Sequence, residues 1–185
     1  RRFQHEATDV RDLRLLDGDD VVRGARGPSP RRAVRPRTRY RAARLARLGD
    51  PFADDLPTGA IHADYFPDNV LFEDGAVSGV IDFYFGCTGA FAYDLAIALS
   101  AWGFDAEGRA MPDALAAFQG GYESVRPLNA AERAALPRLG EAAALRFTVT
   151  RLHDRIFHDP ANLVTPKDPA VFLRRMDHWR ATEPA

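Results

Sequence analysis

The residues with chemical potential are concentrated between Gly59 and Tyr84, in the stretch GAIHADYFPDNVLFEDGAVSGVIDFY. His62, Asp64 and Asn69 stand in the order His-x-Asp-x-x-x-x-Asn, and Asp82 and Phe83 follow after a short apolar segment. Phosphoryl transfer needs little more than this set: oxygen ligands for Mg²⁺, and a carboxylate that orients an acceptor hydroxyl and takes its proton. Asn69 and Asp82 have the right atoms to hold metal, and Asp64 to act as the base. Mg²⁺ keeps several waters, so two protein ligands plus nucleotide phosphates suffice and no Cys or His ligand is required.

The elements that must position these groups are legible around them. Ala60-Ile61 and Val70-Leu71-Phe72 are short apolar runs separated by a polar loop that contains Pro67. Glu73-Asp74-Gly75 supplies a tight turn, and Ala76 to Ile81 returns as a second strand. A hairpin of this kind brings Asp82, just past its second strand, back beside Asn69, just before its first. Asp64 then lies at the lip of the same cleft. Three residues at fixed spacing recur by chance, so the weight rests on the added Pro67, the turn and the terminal Ile81-Asp82-Phe83. Asp68 either touches metal or caps its own loop, and the loop cap is the simpler role.

Beyond Asp82 the aromatic run Phe83-Tyr84-Phe85 is expected to pack the metal loop against the core, and Gly86 to Gly89 to form a bend. Phe91 to Trp102 reads as a helix with Leu95, Ile97, Ala98, Leu99 and Trp102 as its apolar surface, and Asp94 in its first turn is favoured by the helix dipole. Pro112 to Tyr122 has Leu115, Phe118 and Tyr122 at helical spacing. Asn129 followed by Glu132 has the form of an N-cap, and the pattern continues from Leu136 to Phe157, with Pro137 marking a kink or a fresh first turn. A last helix is expected from about Pro169 to Arg180, burying Phe172, Leu173, Met176 and Trp179.

The chain has 185 residues and a net charge of −1, which suits one domain with an ample core and gives no reason to propose nucleic acid or an anionic membrane as partner. Cys87 is the only cysteine, which excludes an intrachain disulfide and fits a reducing cytoplasm. Beside Gly86 it reads as a small buried residue. No apolar run approaches a membrane span and nothing at the start has the form of a signal peptide, so a cytoplasmic, soluble protein is expected. Residues 1–50 differ from the remainder. They carry Gly24, Gly27, Pro28 and Pro30, then Arg31, Arg32, Arg35, Arg37, Arg39, Arg41, Arg44 and Arg47. Such a stripe can bind phosphates, but with aromatics nearly absent a solvated helix face or tail is the better account. The main folded lobe is expected over 51–185.

The segments HADYFPDNVLF, GVIDFYFGCTGAFAYDLAIALSAW, LRFTVTRLHD and LVTPKDP, in that order, resemble the aminoglycoside phosphotransferase-like kinases, relatives of the protein kinases. Within that superfamily the IDFYF…AYDLAI run and the terminal VTPKDP are most similar to the homoserine kinases. The resemblance implies an α+β fold, the protein-kinase-like C-terminal lobe, mostly helical with a small β-hairpin carrying the metal-binding loop. It implies Asp64 as catalytic base, Asn69 and Asp82 as Mg²⁺ ligands, His62 packed under the loop, and Asp94 hydrogen-bonded to the loop backbone. ATP is the implied phosphoryl donor and an amino acid, L-homoserine, the implied acceptor, in a step toward threonine. Tyr65 and Phe66, in place of the basic residue of many protein kinases, suit a small-molecule acceptor.

The same resemblance sets two departures. The small lobe's nucleotide-covering loop and phosphate-contacting lysine have no counterpart here: Gly24 to Gly27 follows no convincing strand, and Lys167 lies too late. The N-terminal lobe is therefore expected to be absent and to be the natural intramolecular partner of this chain. Residues 4–44 depart enough from the family to suggest an out-of-frame stretch. Arg146, Arg151, His153, Asp154 and Arg155 crowd one part of the long helix. Arg146 or Arg151 is a natural anchor for the substrate carboxylate, with salt-bridged helix surface an equal alternative. Two other readings stand beside this one: another small-molecule kinase, acting on an aminoglycoside, choline or a sugar, and a non-enzymatic fragment or pseudokinase.

Overall fold

The computed structural model divides the chain into two compact units, 1–49 and 50–185, and describes Leu48 and residues 50–52, 55–158 and 165–183. The atypical amino-terminal stretch, including 4–44, lies outside the described residues. Among the described residues the second unit consists of two small antiparallel sheets and four helices.

The sheets are nested. β1 (Thr58–Ile61) pairs with β4 (Cys87–Ala90), with Thr58 opposite Ala90 and Ile61 opposite Cys87. Enclosed between them in sequence is the hairpin of β2 (Val70–Glu73) and β3 (Ala76–Val80), with Val70 opposite Val80 and Glu73 opposite Ala76. Asp74 and Gly75 form its two-residue turn, both at positive φ, 51° and 79°. That is the twist an Asp-Gly hairpin favours, and Gly75 adopts it without steric cost. Cys87–Ala90 is thus a strand and not the expected bend; its partner lies far back in the sequence, so no local signal marks it. Cys87 is exposed on that strand, contrary to the buried position expected for it.

The helices follow as α1 (Phe91–Trp102), α2 (Pro112–Val125), α3 (Ala130–Ile156) and α4 (Ala170–Ala181). α1 has the expected bounds and buries Leu95, Ile97, Ala98 and Leu99. α2 lies half-buried on its Leu115, Phe118 and Tyr122 face. α3 starts in a full capping box, the Asn129 side chain accepting from the Glu132 amide and the Glu132 carboxylate from the Asn129 amide. It then runs through Pro137 as one helix. Neither a fresh start nor a break occurs there, because a proline removes one ladder bond while Leu136, Leu139, Ala142 and Ala143, all buried, hold both sides of it in the core.

The core lies where α3 packs against α1 and α4. Phe172, Met176 and Trp179 of α4 are buried as expected; Leu173 is only partly covered, and Arg175 is buried in addition, donating to the Ser100 carbonyl at 2.6 Å. Trp179 donates Nε1 to Ser100 Oγ at 2.9 Å, which joins α4 to α1 through the helix that separates them. Gly140 of α3 lies directly against α4, where a Cβ would overlap the Trp179 indole.

Gly140→Ala gains helix propensity worth about 1 kcal/mol yet forces the indole outward, an overpacking cost of roughly 1–3 kcal/mol. The expected net result is lower stability by about 1 kcal/mol, read as a reduced urea midpoint with unchanged slope. A rise in the midpoint is the contrary result.

Candidate active site

Both loops that carry candidate chemistry lie between the nested sheets, one after β1 and one after β3. The first, residues 62–69, is tied to the helical core at four backbone positions. Asp94, in the first turn of α1, accepts the His62 amide at Oδ2 (3.1 Å) and the Ala63 amide at Oδ1 (2.7 Å). Arg146 of α3, buried, donates to the Ala63 carbonyl at 2.7 Å, and Trp102 of α1 donates Nε1 to the Tyr65 carbonyl at 3.0 Å. These ties hold Ala63 at φ 59°, the left-handed region that costs a non-glycine residue about 1–2 kcal/mol.

His62 joins the two loops. Its Nε2 lies 2.9 Å from the Ile81 carbonyl oxygen, which can only accept, so Nε2 carries the proton. Nδ1 is then the acceptor for the Asp64 amide at 3.2 Å, and the ring lies between the 62–69 loop and the residue that precedes Asp82. Phe83 covers it, ring centroids 4.6 Å apart. The aromatic run does not pack inward as a cluster: Phe83 and Tyr84 are exposed, and only Phe85 is partly covered, under the Arg146 guanidinium at 5.2 Å.

From this frame the Asn69 side chain meets Asp64, and the Asp82 charge acts on the same carboxylate. Buried Asn69 donates Nδ2 to the Asp64 carbonyl (2.8 Å) and to Asp64 Oδ2 (3.2 Å), and its own carbonyl accepts the Ile81 amide at 3.0 Å. With Nδ2 so oriented, Asn69 Oδ1 makes no hydrogen bond among the described residues. The Asp82 carboxylate, on a residue at φ 62° and ψ 55°, likewise has no hydrogen bond or ion pair there. The Asn69 amide oxygen and the Asp82 carboxylate are hard oxygen donors of the kind Mg²⁺ takes. Burial pushes the Asp64 carboxyl above its ordinary value; Arg146 and the Asn69 hydrogen bond pull it down, and the Asp82 charge adds to the rise. A carboxylate held partly desolvated in this way is a feature of functional sites.

The two arginines separate. Arg146 is committed to the loop, its donor on Ala63 and its guanidinium against Phe85 and Phe147. Arg151 is half-buried over Phe172 at 4.4 Å, and its charge acts on Asp64, Asp68 and Asp168. His153, Asp154 and Arg155 are exposed and take no part in the loop. Sequence reasoning missed three contacts: the Trp102 tie, the Arg146 tie and an ion pair of Lys167 Nζ with Asp68 Oδ2 at 2.8 Å. Trp102 has the spacing of a core residue, and nothing local marks its indole as a donor.

The model of the phosphotransferase enzyme family (APH) matches residues 3–128, a span that takes in the amino-terminal stretch as well as the site. The chain belongs to this family. Among curated relatives, homoserine kinase of Gluconobacter oxydans is 56% identical over 131 residues, covering 71% of this chain and 42% of the relative. Homoserine kinase of Methylobacterium radiotolerans is 55% identical over 141 residues, covering 76% and 44%. The chain spans about two fifths of the length of the curated relatives it matches.

Asp94→Ala leaves two partly buried amides without their charged acceptor. A loss of roughly 2–4 kcal/mol is expected in denaturant unfolding, with at most about half recovered by Asp94→Asn, which keeps an acceptor for one amide and turns an NH2 donor toward the other. Asp64→Asn has the opposite sign. Because the folded-state value of Asp64 is raised above 3.8, its ionisation opposes folding, fully above the raised value and not at all below the ordinary one. Thermal unfolding should therefore show Asp64→Asn more stable than the parent at neutral pH, the advantage disappearing as pH falls toward the ordinary carboxylate range.

Proposed function

We propose that this chain forms the C-terminal lobe of a homoserine kinase, transferring the γ-phosphoryl of ATP to the side-chain hydroxyl of L-homoserine in the cytoplasm, a step toward threonine. The observation that supports the reading is the Asn69 side chain bonded to Asp64, with the Asp82 charge acting on the same carboxylate and oxygens unspent on Asn69 and Asp82. The homoserine kinases that match at 55–56% identity supply the acceptor. The nucleotide-covering lobe is proposed to lie outside this chain, in line with its share of the relatives' length, and to be its intramolecular partner.

In the proposed reaction Asn69 Oδ1 and Asp82 hold Mg²⁺, which when bound offsets charge on the phosphates. Asn69 occupies Asp64 Oδ2, which leaves Oδ1 for the acceptor. Asp64 Oδ1 orients the hydroxyl and takes its proton as the acceptor oxygen bonds to the γ-phosphorus, the bond to the β-phosphate breaks and ADP departs. His62 and Asp94 hold the loop and do no proton transfer: both His62 nitrogens are spent on backbone. No helix among the described residues is long and apolar enough to cross a membrane.

Calorimetry with ATP and Mg²⁺, and a phosphorylation panel of L-homoserine, choline, a sugar and an aminoglycoside, test the proposal. Transfer to L-homoserine is expected, falling about 10²- to 10⁴-fold in Asp64→Asn while nucleotide binding persists, and Mg²⁺-dependent ATP binding is expected to weaken in Asp82→Asn. The acidic limb of kcat/KM should lie above the ordinary carboxylate range, since burial raises Asp64. Preference for another alcohol would sink the homoserine assignment. Absence of ATP binding by the chain alone would support the second reading, a non-enzymatic fragment, which its partial coverage of the relatives favours.

A further inference from the structure

Lys167 is the single lysine of the chain, and the structure brings it across 99 residues of sequence to the catalytic loop, 2.8 Å from Asp68 Oδ2. Both side chains are largely exposed, 59% and 71%. An exposed pair of this kind contributes about 0–1 kcal/mol to stability, so holding the fold together does not explain it. Asp68 sits in the single 3-10 turn Pro67–Asn69, between the proposed base and the proposed metal ligand.

Arg151 approaches the same place from α3. It donates Nη1 to the Asp168 carbonyl at 3.4 Å, next in sequence to Lys167, while the Asp168 carboxylate faces Arg155 at 3.7 Å. Arg151 itself makes no ion pair among the described residues, though half-buried. Its guanidinium lies over Phe172, and its charge acts on Asp64, Asp68 and Asp168 with none of them in direct ion-pair contact. Lys167 and Arg151 thus both act on Asp68, and Arg151 also acts on Asp64 of the same loop, while the Asp168 carboxylate is turned to Arg155.

We propose that Asp68, Lys167 and Arg151 form the subsite for the ammonium and carboxylate of an α-amino-acid acceptor, the Lys167–Asp68 pair being exchanged for the acceptor's own two charges. The ammonium takes Asp68, and the carboxylate takes Lys167 and Arg151, the latter able to grip with two parallel donors. This rests on the phosphotransferase reading and extends it: the subsite selects zwitterions over neutral or singly charged alcohols. Arg146, tied to Ala63, is not part of it.

Because there is one lysine, ¹³C-lysine labelling of the 185-residue chain gives one side-chain signal that reports on the pair directly. Asp68→Asn should move that signal without ligand. L-Homoserine should shift it saturably, while 4-hydroxybutyrate, which lacks the ammonium, and 2-amino-1,4-butanediol, which lacks the carboxylate, should each bind about tenfold or more weakly. Followed by calorimetry, Asp68→Asn should weaken L-homoserine but spare 4-hydroxybutyrate, and Lys167→Met should weaken L-homoserine but spare the diol. A lysine signal that L-homoserine leaves in place, or equal losses for all three acceptors, overturns the subsite. Failure of the kinase reading is distinct, showing as no ATP turnover with any alcohol whatever the lysine signal does.

Discussion

The site depends on one carboxylate that takes no part in its chemistry. Asp94 grips two successive amides, of His62 and Ala63, and so holds the chain through a left-handed turn that alanine does not adopt unaided. The turn in turn aims His62 at the Ile81 carbonyl and leaves Asp64 beyond it facing Asn69. Arg146 closes the arrangement from the opposite side by taking the Ala63 carbonyl. A short residue with a strained backbone is thus held by one acid and one base from two different helices, and the strain is local to the residue beside the proposed base, where such strain is often found.

Rigidity at this point comes from the helical core. α1 carries Asp94 at one end and Trp102 at the other, so a single helix spans the loop from His62 to Tyr65. α3 supplies Arg146, and α4 locks α1 and α3 together through Ser100, Trp179 and Arg175. The arrangement puts precision on helices and leaves the reactive oxygens on loops, which is where scaffolded sites place them. Asp82 is the exception among the three proposed reacting groups: it is fixed through its neighbour Ile81, by an amide to Asn69 and a carbonyl to His62, while its own side chain remains untethered.

What the sequence disclosed and what it withheld divide along contact range. The Asp74-Gly75 turn, the capping box at Asn129 and the α1 helix are local, and each was legible because residues a few positions apart determine it. The juxtaposition of Asn69 with Asp82 was legible for the same reason, since a tight hairpin connects them. β4 was not: Cys87 to Ala90 is short and glycine-bearing, and becomes a strand only because Thr58 to Ile61 lies alongside. The helix through Pro137 was legible in its apolar pattern, but that no fresh turn starts there was not, since the proline's penalty is local and the packing that overrides it is not. The ties of Trp102 and Arg146 and the Lys167–Asp68 pair join residues 37, 83 and 99 positions apart, distances over which periodicity and turn chemistry are silent.

The nesting of β2 and β3 inside β1 and β4 has a kinetic corollary. The hairpin closes over two residues and loses little chain entropy in doing so, whereas the outer pair must close the whole stretch from His62 to Gly86 and gains its contacts only afterwards. Hairpin zippering is therefore the early event and sealing of the outer ribbon the late one. Only the late step brings Ile61 up to Cys87 and presents the following amides to Asp94, so a chain caught between the two would show strand content and still lack a place for a nucleotide.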